Sequence, residues 1–257
     1  MLRYEKKDSV AILTLDRPER DNAIDTALAQ ELNDAMAQIV EDDDVRVIVI
    51  RGAGETAFCG GQDLRDLAEK PQKTPAEMVL PRARPYWQAL VESDRIAVAA
   101  IHGKCLGRGL ALALACDIRI SADDAEFGFP EVSTGTIPAA GGTQLLPRTV
   151  PKGMAMEMIL TARTIDAAEA HRIGLVNKIV KPDQLDEATD ELVKTLVSMG
   201  PIALKYAKEA CLKGLDVPLE QGMRIESDLY ALVQTTEDRK EGIKAFLEKR
   251  PPRFVGR

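Results

Sequence analysis

The chain has 257 residues, 45% of them hydrophobic, enough apolar material to bury a sizeable core and too much for an intrinsically disordered polymer. Its formal charge of -7 argues against nucleic acid or an anionic membrane as the main partner, although a few local cations suffice to hold a small anionic ligand. The start "MLRYEKKDSVAILTLD" lacks the regions of a secretory leader and no apolar run approaches the ~20 residues of a membrane helix, so a cytoplasmic protein without a membrane partner is expected.

In chain order, "VAILTL" (10–15) is a short run of β formers that predicts a buried strand. "DRPERDNAID" follows as a loop with a helix cap at Asp25, and Leu28, Leu32, Met36 and Ile39 then recur at helical spacing. "VRVIVI" (45–50) predicts a second strand, and the glycine-rich "GAGETAFCGGQDL" leads into a helix near Asp63 to Ala68. Pro71, Pro75, Pro81 and Pro85 predict an irregular segment over 71–92 around a short helix. "IAVAAI" (96–101) predicts a strand, Leu110 to Cys116 a buried helix, and 117–129 an extended stretch. The loop 135–146 feeds a helix, and beyond Pro151 the pattern is helical apart from one strand, "LVNKIV" (175–180). Helices are expected to start near Asp183, Pro201, Pro218 and Thr236, three of them at or directly beside a proline suited to a first helical turn or its edge.

A unit of strand, glycine loop and helix therefore recurs near 45–68 and 96–116, which predicts a layered α/β core over 1–195 and a helical region over 196–257. The four cysteines, Cys59, Cys105, Cys116 and Cys211, show no CxxC spacing and read as buried reduced thiols, with no metal site. In each repeat the helix start offers unpaired N–H groups and the positive end of the peptide dipole, and glycine lets a ligand approach them. Two such ends facing one point would make an oxyanion hole; the same glycines would also serve plain tight packing. Neither loop has the phosphate-binding pattern of a nucleotide fold.

The segments "AFCGGQDL" (57–64), "HGKCLGRGLALALACDIRISADDAEFGFPEVSTGTIPAAGGTQLLPR" (102–148), "EAHRIGLVNKIV" (169–180) and "EGIKAFLEKRPPRF" (241–254) together resemble the crotonase family of enoyl-CoA hydratases and isomerases. The resemblance runs over nearly the whole chain in the same order and spacing. It implies a crotonase-like α/β spiral of repeated ββα units, with C-terminal helices used in a homotrimer or a dimer of trimers. The substrate it implies is an acyl-CoA thioester, with coenzyme A part of the substrate and no separate cofactor.

By position the two oxyanion donors are the main-chain amides of Gln62 and Arg108, the arginine side chain being tolerated if it points away from the thioester. Ala57, Gly61, Gly109, Ala111 and Gly135 fall at substrate-contacting positions. Arg65 resembles a basic residue used for the CoA phosphates, and Phe246 and Lys249 resemble residues that reach the adenosine end from a neighbouring subunit.

Hydratases of the family resemble one another in a pair of glutamates. Here one is Glu131, in "FGFPEV", and the other position holds Ala111, which cannot accept a proton or hold a water. A lone carboxylate suits a proton shuttle between two carbons, so the expected activity is 3-enoyl to 2-enoyl isomerisation, ahead of hydration by Glu131 alone or with an acid such as Glu77 or Glu92. A non-catalytic acyl-CoA or RNA-binding relative is the remaining reading. Against RNA, the first predicted helix carries no lysine or arginine. His102 and His171 lack the partners of a hydrolytic triad.

Overall fold

The computed structural model of the chain describes residues 1–69 and 84–257. Among them, two sheets are built from the repeating unit. Strands β1 (Leu2–Lys7) and β2 (Val10–Leu15) form an antiparallel pair, and helix α1 (Thr26–Glu41) follows. The first repeat is then β3 (Val47–Gly52), β4 (Ala57–Cys59) and α2 (Leu64–Ala68). After α3 (Tyr86–Val91) come β5 (Ile96–Ile101), β6 (Lys104–Leu106) and α4 (Arg108–Ala115), and then β7 (Ile118–Ala122), β8 (Glu126–Gly128) and α5 (Gly142–Thr149). In each repeat the first strand joins the large sheet and the second joins the small one. The large sheet has the order β1-β2-β3-β5-β7 and ends on β10 (Lys178–Val180); the small one runs β4-β6-β8 and ends on β9 (Thr164–Asp166).

Strand β5, in the middle of the large sheet, is buried on both faces, which is why "IAVAAI" reads as an unbroken apolar run instead of an alternating one. Helix α4 is buried along its length from Gly109 to Ala115, so its alternation of leucine and alanine packs against strands and neighbouring helices alike. Helices α6 (Lys152–Thr161) and α7 (Ala167–Arg172) complete the core, and α8 (Leu185–Val197), α9 (Pro201–Leu215), α10 (Leu219–Gln234) and α11 (Glu237–Glu248) the C-terminal part. Two compact units result: Met1–Ser93 with Ala97–Asp190, and Asp94–Ile96 with Glu191–Arg257.

Several sequence expectations change. The expected helix Leu110 to Cys116 begins two residues earlier, at Arg108, because Gly107 (φ 52°) turns the chain and its carbonyl accepts the first helical bond from Ala111 N–H at 2.9 Å. Strands β1, β4, β6 and β9 are additional; three of them have only three residues, too short for a periodic signal. In "LVNKIV" only Lys178–Val180 is strand, since Leu175 and Val176 are turned back into the core. Cys59, Cys105 and Cys116 are buried as expected, but Cys211 is exposed on α9. No helix among the described residues is long and apolar enough to cross a membrane. Most of the proline-rich segment, with Pro71, Pro75, Pro81 and Glu77, lies outside the described residues.

Candidate active site

The two glycine loops meet. A Cβ built on Gly61 would lie 3.7 Å from the Arg108 nitrogen, and one built on Gly107 would lie 3.7 Å from the Gly61 Cα and 2.8 Å from Glu131 Oε1. Gln62, Arg108 and Glu131 are thus brought to one place by three separate elements: the loop after β4, the start of α4, and the single turn of 3-10 helix Glu131–Thr134 after β8.

The amide of Gln62 is left free by its neighbours. Ile24 N–H donates to Gly61 O (2.7 Å) and Asp63 N–H donates to Ile24 O (3.0 Å), a parallel bridge that uses the groups on either side of Gln62 and not its own N–H. The Arg108 N–H lies in the first turn of α4, where a helix has no internal acceptor to offer. Among the described residues neither amide donates to another protein group. Two unclaimed donors next to a carboxylate form the arrangement that stabilises charge developing on a carbonyl oxygen.

The loop 17–25, read from sequence only as a connection, holds this geometry. Asp21 and Asn22 are left-handed (φ 51° and 54°), a conformation that asparagine and aspartate tolerate best after glycine. Asn22 is fully buried; its amide donates to Ala57 O (2.7 Å) and Ala53 O (2.9 Å) and its Oδ1 accepts from Arg17 N–H (2.8 Å). Arg17 in turn pairs with Asp25 (3.2 Å) and Asp63 (3.1 Å), and Gly60 N–H donates to Asp21 O (2.7 Å). Asn22→Ala removes all three bonds and puts alanine in a left-handed conformation. We expect it to cost about 3 kcal/mol, read as a fall in the denaturant midpoint at unchanged m.

Glu131 is half-buried. Burial pushes its carboxyl above the ordinary range, opposed by a hydrogen bond from its own N–H and by the charge of Arg108. Oε2 is buried with no hydrogen-bond partner among the described residues. A carboxylate desolvated in this way is a stronger base than one in water, and it has an oxygen to spare for a substrate proton.

The Arg108 side chain lies among the groups of this site. It is half-buried, and its charge reaches Cys59, Tyr86 and Glu131. Helix side chains lean toward the N-terminus, which favours this placement at the start of α4.

Of the other candidates, Ala57, Gly61, Gly109 and Ala111 are buried around the same loops, and Gly135 is exposed at the end of the Glu131 turn with φ 75°. Arg65 is exposed on α2. Phe246 is 82% exposed and Lys249 closes α11 in a left-handed conformation; both belong to the C-terminal unit. Glu92 is paired with Arg84 (2.6 Å) and bonded by Gln88, so it is engaged elsewhere. Asp117 accepts from Ala97 N–H at 2.7 Å, a structural role. His102 lies beside a cavity of about 630 Å³ that also includes Asp124 and Asp186, with its ring held below its usual pKa by burial.

Comparison with known proteins agrees with this geometry. The family model described as enoyl-CoA hydratase/isomerase matches residues 5–257. The chain is 39% identical to (E)-benzylidenesuccinyl-CoA hydratase of Thauera aromatica over 98% of both sequences, and 37% identical to crotonyl-CoA hydratase of Syntrophomonas wolfei over 98% of this chain and 97% of that one. A crystal structure of enoyl-CoA hydratase from Bacillus anthracis superposes with a TM-score of 0.94 at 38% identity, covering 100% of this chain and 99% of the other.

Proposed function

The chain belongs to the enoyl-CoA hydratase/isomerase family, and on that premise we propose that it interconverts 2-enoyl-CoA and 3-hydroxyacyl-CoA thioesters with Glu131 as proton carrier. It is an acyl-CoA enzyme of crotonase fold. The sequence reading put double-bond isomerisation first; relatives named as hydratases over the whole chain favour the alternative. The observation that carries the proposal is Glu131 beside the Gly107 turn, with Oε2 unpartnered and two free amides at the same junction.

In the proposed reaction the thioester oxygen accepts hydrogen bonds from Gln62 N–H and Arg108 N–H, which draws electrons from the double bond. Glu131 takes a proton from water, the resulting hydroxide forms a bond to Cβ, and the π electrons move onto the thioester as an enolate. Glu131 then returns its proton to Cα and the carbonyl re-forms. One carboxylate suffices because the proton it takes is the proton it gives back; both additions occur on the face that Glu131 occupies. The dipole of α4 adds to the stabilisation of the enolate oxygen. The proposal extends to Arg65 at the CoA phosphates, to Phe246 and Lys249 at the adenosine of a neighbouring copy, and to a trimer or dimer of trimers.

Ala111 supports a second reading, in which Glu131 takes a proton from Cα of a 3-enoyl-CoA and returns it to Cγ without water. Supplying 2-enoyl-CoA and 3-enoyl-CoA in deuterated water separates the two. Rapid 3-hydroxyacyl-CoA formation supports hydration; label at Cα or Cγ without net water addition overturns it in favour of isomerisation.

Ala111→Glu probes the missing partner. The position is fully buried in α4, so the larger side chain is expected to lower stability by about 1–3 kcal/mol. Hydration is expected to rise by ~10-fold or more, because a second carboxylate can hold the attacking water. Unchanged hydratase kcat in a folded variant would mean that the absent carboxylate is not what limits the rate.

A further inference from the structure

Arg108 does more than present its amide. The residue is half-buried, its Nε is buried without a partner, and among the described residues the side chain makes no hydrogen bond and no ion pair within 4 Å, so only its two Nη groups are open to a ligand. The other arginine next to this helix shows what a settled buried guanidinium looks like. Arg119 donates to the carbonyls of Leu175 (2.7 Å), Cys116 (2.6 Å) and Ala113 (3.4 Å), two of them at or just beyond the C-terminal end of α4, where the helix dipole favours a cation. Arg108 occupies the opposite end, where the dipole disfavours a cation, and it has no compensating bond. Leaving a buried donor unpaired is costly, and an anion that reaches this guanidinium would recover that cost.

Its surroundings do not complete it. Burial holds the Cys59 thiol and the Tyr86 phenol up at about 12, so both are neutral at physiological pH. The Glu131 carboxylate feels the Arg108 charge, and no ion pair within 4 Å joins the two. One turn along the same face, Ala111 is apolar; a glutamate at that i, i+3 position would pair with Arg108 and repel a second anion. The two unusual residues of "GRGLA" thus act together, one supplying a free cation and the other clearing its flank.

Resting on the hydration reading above, we propose that the Arg108 guanidinium binds a carboxylate carried by the acyl chain, so that the preferred substrate is the CoA monothioester of a short unsaturated dicarboxylic acid. The Arg108 amide holds the thioester oxygen while its side chain lies on the Glu131 side, where Cα and Cβ are processed. The anion it meets is therefore on the acyl part, and the reach of one arginine side chain limits the chain to a few carbons.

The test compares short unsaturated diacid monothioesters with monoacid 2-enoyl-CoA esters of the same length. A charge-assisted, partly desolvated pair is expected to give the diacid at least a ~30-fold advantage in kcat/KM. Arg108→Met keeps the amide and the length of the side chain but removes the charge. Whatever it does to the overall rate, the diacid-to-monoacid ratio is expected to fall to 1 or below, with Arg108→Lys between. A wild-type ratio of 1 or less, or a ratio that survives in Arg108→Met, overturns the proposal while leaving hydration intact. If neither ester turns over, the hydration reading fails by itself, and calorimetry decides the carboxylate: wild type is expected to bind glutaryl-CoA more tightly than pentanoyl-CoA and Arg108→Met is not. Equal affinities in wild type overturn the proposal.

Discussion

Glu131→Gln is expected to reduce kcat/KM on a 2-enoyl-CoA by ~10²–10⁴-fold, the range associated with removing one general acid–base group. Glutamine matches the shape and can neither take the proton from water nor return it to Cα, so the loss should fall on kcat, with KM little changed. The pH profile supplies an independent sign. The reaction needs the carboxylate, and burial raises the pKa of Glu131, so wild-type activity should climb with pH along a limb lying above the ordinary carboxylate range. That limb should be absent from the residual activity of the variant.

Stability should move the other way. A carboxyl whose folded pKa is raised binds its proton more tightly in the fold than in the unfolded chain. Ionising it therefore penalises the folded state as pH rises through the folded pKa, and the penalty vanishes in acid below the unfolded pKa. Glu131→Gln is accordingly expected to have an equal or higher Tm than wild type at neutral pH, converging with it in acid. A large loss of rate together with a lower neutral Tm would point to a structural role for Glu131 and sink the assignment.

Gly109→Ala should have the second largest effect, by a different route. A methyl group there would collide with the Cys59 carbonyl oxygen and lie 2.7 Å from its Cβ, in a core with no free volume to receive it. Relief requires α4 to withdraw from β4. Those two elements carry Arg108 and lead into Gln62, so the separation of the two amides changes with the move. We expect about 3 kcal/mol of lost stability and a ~10²-fold lower kcat in the protein that remains folded, since a displacement of about 1 Å is enough to spoil an oxyanion hole. Binding of a saturated acyl-CoA should suffer less than kcat, because the amides favour the enolate over the ground-state carbonyl. Equal losses in both would mean that the variant damages the fold without specifically disturbing the amide pair.

Much of the molecule was legible from residue patterns. The unbroken apolar run at 96–101 is a strand because a parallel strand buried on both faces needs no alternation, and the β formers at 10–15 make a strand with Ala11, Leu13 and Leu15 in the core. The spacing of Leu28, Leu32, Met36 and Ile39 marks the buried face of α1, and the Asp25 cap is realised by its side chain accepting from Leu28 N–H at 2.7 Å. The family motifs identified Gln62, Arg108 and Glu131 as candidates. Three-residue strands such as β4 and β6 escaped notice because they are shorter than any period, and they exist only through pairing with partners distant in sequence.

What sequence determined by itself, then, is the repeating unit and its buried helices, since each is written in local pattern; that Ala111 stands where hydratases carry a glutamate is what the family resemblance implies. Three-dimensional contact decided the rest. Asn22 and Ile24 leave the Gln62 amide unclaimed by bonding to groups some 30 to 40 positions away, and nothing in a linear loop reveals that. The placement of the Arg108 side chain depends on how a helix start packs against a neighbouring loop, and its having no ion pair among the described residues depends on which groups are folded around it. Both are properties of space, and no stretch of chain carries them alone.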